Sequence, residues 1–343
     1  MNMKGRLVSV IGGAGFLGRY VVQDLVRSGA RVRVGVRDTE DAHFLKTLGE
    51  VGQVNCVYTN VCDINSVRNA IDGADSVINL AGIIAKSGKN TFQNVHVDGA
   101  KNIAAAAKAE GVKNLIHVSS ISANPQSKSE YARTKFAGEQ AVLEEFPDAT
   151  ILRPALLIGP EDQFMNTFAK MARYIPLLPV VGCPVVPKIK MVAGASSQWR
   201  IPMLEFCSMG GANFQPIYVG DVAAAIIKSL DNKQAKGKIF ELTGPVTYSF
   251  KRLLQLMLEQ TGRNCLIVPA PIPLALTQAF FMEFIPGSIV SRDQVWLLVE
   301  GNVKSGEHQT IEDLGITPKG IESVLPTYLR CYRPTKNQRI REA

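Results

Sequence analysis

The chain has 343 residues, 46% hydrophobic and 20% charged, an ordinary globular composition that supplies core material for one large or two modest domains. A formal charge of +8 suits anionic ligands, acidic partner surfaces or a membrane face, but no aromatic-studded basic motif is present and nucleic acid is not implied. Six scattered cysteines without C-x-x-C, and four histidines without a clustered spacing, speak against a disulfide framework and a metal centre and for a reducing compartment.

The fold is expected to begin at about Lys4, which leaves no signal peptide or Arg/Ser-rich transit segment ahead of it. The expected location is therefore the bacterial cytoplasm, with the inner-membrane surface as its periphery, or the mitochondrial matrix for an already mature organellar chain. No apolar run reaches the roughly 18 residues of a membrane span.

Arg6–Arg37 reads as strand, glycine turn, helix, strand. Leu7–Ile11 is apolar, and Gly12, Gly15 and Gly18 follow with Phe16 and Leu17 among them. A helix then runs to about Ser28, and Arg31–Val36 is a second strand. In a dinucleotide fingerprint one glycine makes the tight turn, one admits a pyrophosphate and one lets helix and strand pack closely; the helix start offers its free N–H groups. After Arg37 the chain reads as polar and helical to about Leu48. Gln53–Asn60 is a third strand closed by Asp63, which suits either the adenine edge or an N-cap for the helix Asn65–Ile71. Asp75–Leu80 is a fourth strand ending in Ala81-Gly82, small residues where a nucleotide passes. Phe92–Glu110 reads as one long helix, Leu115–Ser119 as a fifth strand, Tyr131–Glu145 as a helix and Thr150–Leu152 as a strand. This alternation predicts an α/β fold, a Rossmann-type doubly wound parallel sheet.

Beyond Arg153-Pro154 prolines become frequent and the alternation fades. The reading is a dinucleotide-binding domain at 4–153 and a smaller, irregular α/β lobe at 154–329 that contributes back to the sheet. An irregular insertion lies at about 183–213, and a basic tail carrying Arg330, Arg333, Lys336, Arg339 and Arg341 occupies 330–343. Within the lobe, Pro216–Val219 and Phe240–Thr243 read as strands and Asp221–Leu230 and Phe250–Thr261 as helices. Leu266–Ile285 is apolar but broken by three prolines.

Position 37 bears on the cofactor: it lies 37 − 18 = 19 residues after the last fingerprint glycine, where an acidic residue would bind the ribose 2′-hydroxyl of NAD. Arg37 stands there instead, with Arg19 just after the glycines. Two guanidinium groups favour the 2′-phosphate of NADP(H), while Asp38 keeps NAD(H) open. Tyr131 and Lys135, spaced i, i+4 on one helix face, pair a phenol with an ammonium that favours phenolate, the makings of an acid/base near neutral pH. Ser120, at the end of the fifth strand, could hydrogen-bond a reacting oxygen.

Gly12–Gly18, Asn79–Gly82, His117–Ser120 and Tyr131-x-x-x-Lys135 resemble the extended or atypical short-chain dehydrogenase/reductase superfamily; Arg153-Pro154, Tyr218–Ala223 and Leu242–Pro245 are similar to its later landmarks. More narrowly, Tyr131–Glu139, Ile158–Asp162 with Phe164–Phe168, Gln215–Asp221 and Glu312–Ile316 resemble the accessory NADPH-binding subunits of NADH:ubiquinone oxidoreductase (respiratory complex I) and their alphaproteobacterial relatives. The resemblance implies tightly held NADPH and a seat on the peripheral arm near the membrane, without established turnover. It carries nucleotide binding onto Gly12, Gly15, Gly18, Arg37, Asp63 and Lys135. The insertion departs from the pattern, where relatives have a short glycine turn.

Two main readings result. The first is an accessory subunit of complex I with a structural nucleotide, whose apolar segment Leu276–Ile285 and basic tail meet a partner or membrane interface. The alternative is an active NADP(H)-dependent reductase, epimerase or dehydratase acting on a small carbonyl, alcohol or sugar nucleotide, with Ser120, Tyr131 and Lys135 catalytic. A redox-sensing regulator ranks third.

Overall fold

The computed structural model describes residues 3–182, 188–193, 200–205, 210–284 and 291–334. They divide into two compact units: residues 1–157, 217–245 and 303–320 form the first, and 158–216, 246–302 and 321–343 the second.

The first unit is built on β1 (Leu7–Ile11), α1 (Phe16–Arg27), β2 (Arg31–Val36), β3 (Val54–Tyr58), α2 (Ile64–Ile71), β4 (Ser76–Asn79), α3 (Gly99–Ala109), β5 (Asn114–Val118), α4 (Glu130–Glu145) and β6 (Thr150–Pro154). The eight-stranded sheet runs Gln309–Thr310, Ile239–Leu242, β6, β5, β4, β1, β2, β3, all parallel. Its strands are apolar on both faces because both are covered. Val8, Val10, Ile78, Ile116 and Leu152 pack in a core with α1 and the helix Val219–Asp231. Ile11, Val77, Leu115 and Ile151 pack in a second core with α2, α3 and α4.

Two predicted helices differ. The stretch after Arg37 holds only a 3₁₀ turn, His43–Leu48. Asp38 Oδ1 accepts the N–H groups of Glu40 (2.9 Å) and Asp41 (3.4 Å), so the chain turns where a helix was expected. The long segment 92–110 begins as a π-helical turn, Gln93–Asp98, before α3. Close packing accompanies that turn: a Cβ on Gly138 of α4 would stand 2.1 Å from the His96 carbonyl oxygen.

In the second unit, Leu177–Val181 pairs in parallel with Leu266–Ala270, and Asn213–Phe214 antiparallel with Tyr248–Ser249. Phe164, Phe168, Phe214 and Phe250 form an aromatic cluster. Asp162 caps the helix Gln163–Tyr174 and accepts a 2.5 Å hydrogen bond from Tyr328 Oη. The predicted irregular insertion contains a two-stranded antiparallel ribbon, Lys188–Ala193 with Arg200–Glu205; residues 183–187, 194–199 and 206–209 lie outside the described residues. The proline-broken apolar stretch resolves into the strand Leu266–Ala270 and a helix, Ile272–Met282, that starts after Pro271 with Pro273 in its first turn, where a missing N–H costs nothing. Arg330–Tyr332, read as tail, forms a 3₁₀ turn, and Arg333 Nε donates to the Gln260 carbonyl at 2.9 Å; Lys336, Arg339 and Arg341 lie outside the described residues.

One buried ion pair ties α4 to the sheet. Arg153 on β6 grips Glu139 with two bonds, Nε to Oε1 at 2.9 Å and a second terminal nitrogen to Oε2 at 2.6 Å, and the Glu139 side chain is fully buried. Replacing one partner leaves an uncompensated charge in the core. Glu139→Gln is expected to lower unfolding stability by roughly 3–5 kcal/mol, read by urea denaturation.

Candidate functional site

The strand order reverses between β1 and β4, and a doubly wound sheet opens its crevice at that point, beyond the strands' carboxyl ends. Gly12 turns the chain out of β1 with φ +83°, and a Cβ there would stand 3.0 Å from the backbone nitrogen of Ala81. The fingerprint turn therefore lies against Ala81, with Gly82 following. Gly18 fulfils the packing role: its Cβ would strike the Gly13 carbonyl oxygen at 2.3 Å. Gly15 is different. It is exposed, and its nearest neighbour would be Gly12 O at 3.5 Å, so protein sterics alone do not demand glycine there.

Gly15 is also the N-cap of α1, with no side-chain cap and no acidic residue in the first turn. The amides of Phe16, Leu17 and Gly18 thus open the helix without an N-cap side chain or a first-turn carboxylate, a ready anion site. Arg37 is exposed at the end of β2, and the Arg19 guanidinium stacks 5.1 Å from the ring of Phe44 in the following turn. Asp38, by contrast, is engaged by backbone amides. Asp63 is exposed and caps α2 through the N–H of Asn65 at 3.0 Å, as its N-cap reading anticipated.

On the other side of the crevice sit Ser120, Tyr131 and Lys135. Ser120 is buried after β5, and its Oγ accepts the Ser122 N–H at 3.2 Å. Tyr131 is half-buried, its ring edge-on to His96 (5.3 Å between centroids) and Phe92 (6.0 Å). Lys135 is 6% exposed, donates to the Val118 carbonyl at 3.2 Å, and would lie 3.4 Å from a Cβ on Gly82. Burial pushes its ammonium down to about 8, against the opposing pull of Glu139.

Two histidines complete this wall and were not singled out as site residues from the sequence. His96 accepts the Ile83 N–H at Nε2 (3.1 Å) and meets Thr134 Oγ1 through Nδ1 (3.1 Å). His117 meets the Asn79 amide through Nδ1 (2.9 Å). Burial first, and the Lys135 charge second, lower both to about 3. The available signal was a histidine inside the apolar run Leu115–Val118.

The sign for stability is direct. Unfolded histidines take up protons below about pH 6.5 while the buried pair stays neutral until about 3, so acid favours unfolding. Between pH 6.5 and 5 stability is expected to fall by about 1.1 kcal/mol per pH unit on average for each histidine, the slope steepening as the unfolded form becomes fully protonated. Urea titrations across that range should show His96→Gln removing one histidine's share of the slope.

Similarity to known proteins extends along nearly the whole chain. The profile of the 3-beta hydroxysteroid dehydrogenase/isomerase family matches residues 9–135. The mitochondrial NADH dehydrogenase (ubiquinone) 1 alpha subcomplex subunit 9 of Arabidopsis thaliana is 31% identical over 344 residues, covering 97% of this chain and 79% of that protein. Its Mus musculus counterpart is 32% identical, with 97% and 82% covered. Among solved structures, MoeE5 in complex with UDP-glucose and NAD superposes with a TM-score of 0.66 at 16% identity, covering 99% of this chain and 100% of that one, a likeness of fold. With that similarity sustained along nearly its whole length, the chain belongs to the alpha subcomplex subunit 9 family of NADH:ubiquinone oxidoreductase, within the short-chain dehydrogenase/reductase superfamily.

Proposed function

We propose that the protein is an accessory subunit of NADH:ubiquinone oxidoreductase that holds a nicotinamide dinucleotide, NADP(H) in preference to NAD(H), as a structural group. The observation that carries the reading is end-to-end similarity to proteins named as subunits of that enzyme, over 97% of this chain. The residues fit the nucleotide. The uncapped start of α1 at Gly15, Phe16, Leu17 and Gly18 suits the pyrophosphate, with Gly12 making the turn. Ala81 and Gly82 would leave backbone room, Asp63 would serve the adenine edge, and Lys135 would hold the nicotinamide ribose. Arg37, together with Arg19, suits a 2′-phosphate, and the diversion of Asp38 into its own turn weakens the claim of a 2′-hydroxyl.

The partner-facing surface in this reading is the helix Ile272–Met282 and its extension. Among its residues Leu274, Phe281 and Phe284 are 62%, 64% and 71% exposed, and only Ala279 is buried. Such a face suits an apolar subunit surface at the membrane-proximal part of the complex. Among the described residues no helix is long and apolar enough to cross a membrane, so attachment at the inner membrane would be peripheral. The location follows the complex: the cytoplasmic face of a bacterial inner membrane, or the matrix side in an organelle.

A second reading rests on the intact Ser120, Tyr131 and Lys135 set. A bound nicotinamide would supply or accept hydride; Tyr131 would move a proton at the substrate oxygen, Ser120 would hold that oxygen, and Lys135 would stabilise the phenolate.

Native electrophoresis of gently solubilised membranes tests the first reading. The chain should migrate with a large assembly that oxidises NADH, and a small soluble species alone would sink the reading. Arg37→Glu should weaken NADPH binding about tenfold or more, while NADH binding changes little. Tyr131→Phe should leave co-migration intact; loss of a measured turnover in that variant would favour the enzyme.

A further inference from the structure

We propose that His117 and Ser119 hold a resident water molecule beneath Lys135, and that this water is the second support of the Lys135 ammonium, making His117 a positioning residue. The water rests on the protein's own atoms; its consequence for the nucleotide rests on the reading above.

The argument begins at Asn79. Its Oδ1 accepts the Ala81 N–H at 3.0 Å, which orients the amide and turns Nδ2 toward His117 Nδ1, 2.9 Å away. His117 Nδ1 is therefore an acceptor. The ring is neutral, so its proton sits on Nε2. That Nε2–H is buried and meets no acceptor among the described residues, and the same holds for the hydroxyl of Ser119. The two residues are 2% and 5% exposed. Two positions apart along the chain as it leaves β5, they share the parity of Leu115, which packs in the core of α3 and α4.

Lys135 arrives from α4 at this place. Its Nζ donates to the carbonyl of Val118, the residue between the two orphans, and its charge is felt at His117. An ammonium has three donors, and Val118 takes one. The carboxylate one turn away, Glu139, is committed to Arg153. Glu241, on the neighbouring strand, is held by the N–H and hydroxyl of Ser305. His96 has both ring nitrogens engaged. What is left is the His117 Nε2–H, two N–H donors of the ammonium and the Ser119 hydroxyl. A single oxygen with two lone pairs and two protons answers three of these groups: it accepts from His117 Nε2–H and from one donor of Lys135 Nζ, and it donates to Ser119 Oγ. Buried waters ordinarily make about three such bonds in polar sites.

The first test needs no nucleotide. In protein labelled with ¹⁵N-histidine, His117 should be the Nε2–H tautomer from pH 5 to 8, with cross-relaxation between that proton and a resident water. An Nδ1–H tautomer, or an Nε2–H without a water contact, overturns the proposal. The second test asks whether the water supports Lys135. His117→Leu should weaken NADPH binding roughly tenfold. His117→Gln, which restores an N–H near the same place, should recover binding to within about threefold of wild type. Equal affinity in the two variants removes the positioning role. A wild-type protein that binds no NADPH fails the nucleotide reading alone, and the histidine spectra still decide the water.

Discussion

Burying an ammonium ion at the carboxyl ends of the central strands is the constraint on which the rest of this site depends. Lys135 is almost wholly enclosed, and the carboxylate nearest to it along α4 is spent on Arg153. Desolvation of that kind is costly unless every donor finds oxygen. The surroundings are organised accordingly. Both nearby histidines are kept neutral, the Val118 carbonyl is presented at the end of β5, and the Gly82 backbone leaves clearance above Nζ. The glycine at position 138 belongs to the same arrangement, because a side chain there would strike the His96 carbonyl oxygen and hold α4 away from the wall it completes.

The opposite side of the crevice works by leaving groups unanswered. The first turn of α1 begins without a side-chain cap, Gly15 is exposed with no neighbour that would crowd a Cβ, and Arg37 projects into solvent. Asp162 and Ser129 close the first amides at other helix starts in this chain, whereas α1, like the helix Val219–Asp231, begins without a side-chain cap. Asp38 shows the complementary case. It has the charge to compete for a ribose hydroxyl but spends it on two backbone amides, which leaves the corner electropositive.

The parallel sheet was legible because its strands are short apolar runs bounded by glycine or polar turns: β1, β2 and the helix Phe250–Thr261 lie where the pattern puts them. Fingerprint glycines and Tyr131-x-x-x-Lys135 were legible for a similar reason, since local spacing sets which groups share a turn or a face. What was not legible depends on distant packing. The π-helical turn at Gln93–Asp98 has helical periodicity in sequence, and its extra residue meets α4 only in three dimensions. The antiparallel ribbon Lys188–Ala193 with Arg200–Glu205 is hidden among prolines and glycines that read as irregular. His96 carries no motif, His117 stands in a stretch read for its serine, and the role of both comes from what surrounds them.

The presence of a complete Ser120, Tyr131 and Lys135 set does not by itself decide between turnover and scaffold, because packing gives each residue a second occupation. Ser120 Oγ closes a turn on the N–H of Ser122. Tyr131 fills the angle between Phe92 and His96, and beside it Lys86 bridges to Glu130 at 2.7 Å while lying 5.5 Å from the Phe92 ring centre. Lys135 ties α4 to the end of β5. A lineage that stopped using such residues for chemistry would still be penalised for losing the lysine, whose removal strands the buried carbonyl of Val118 that it answers. In Tyr131 the ring is what meets Phe92 and His96, and proton transfer needs the oxygen. An enzyme therefore adds a demand on the Tyr131 hydroxyl to the packing of its ring.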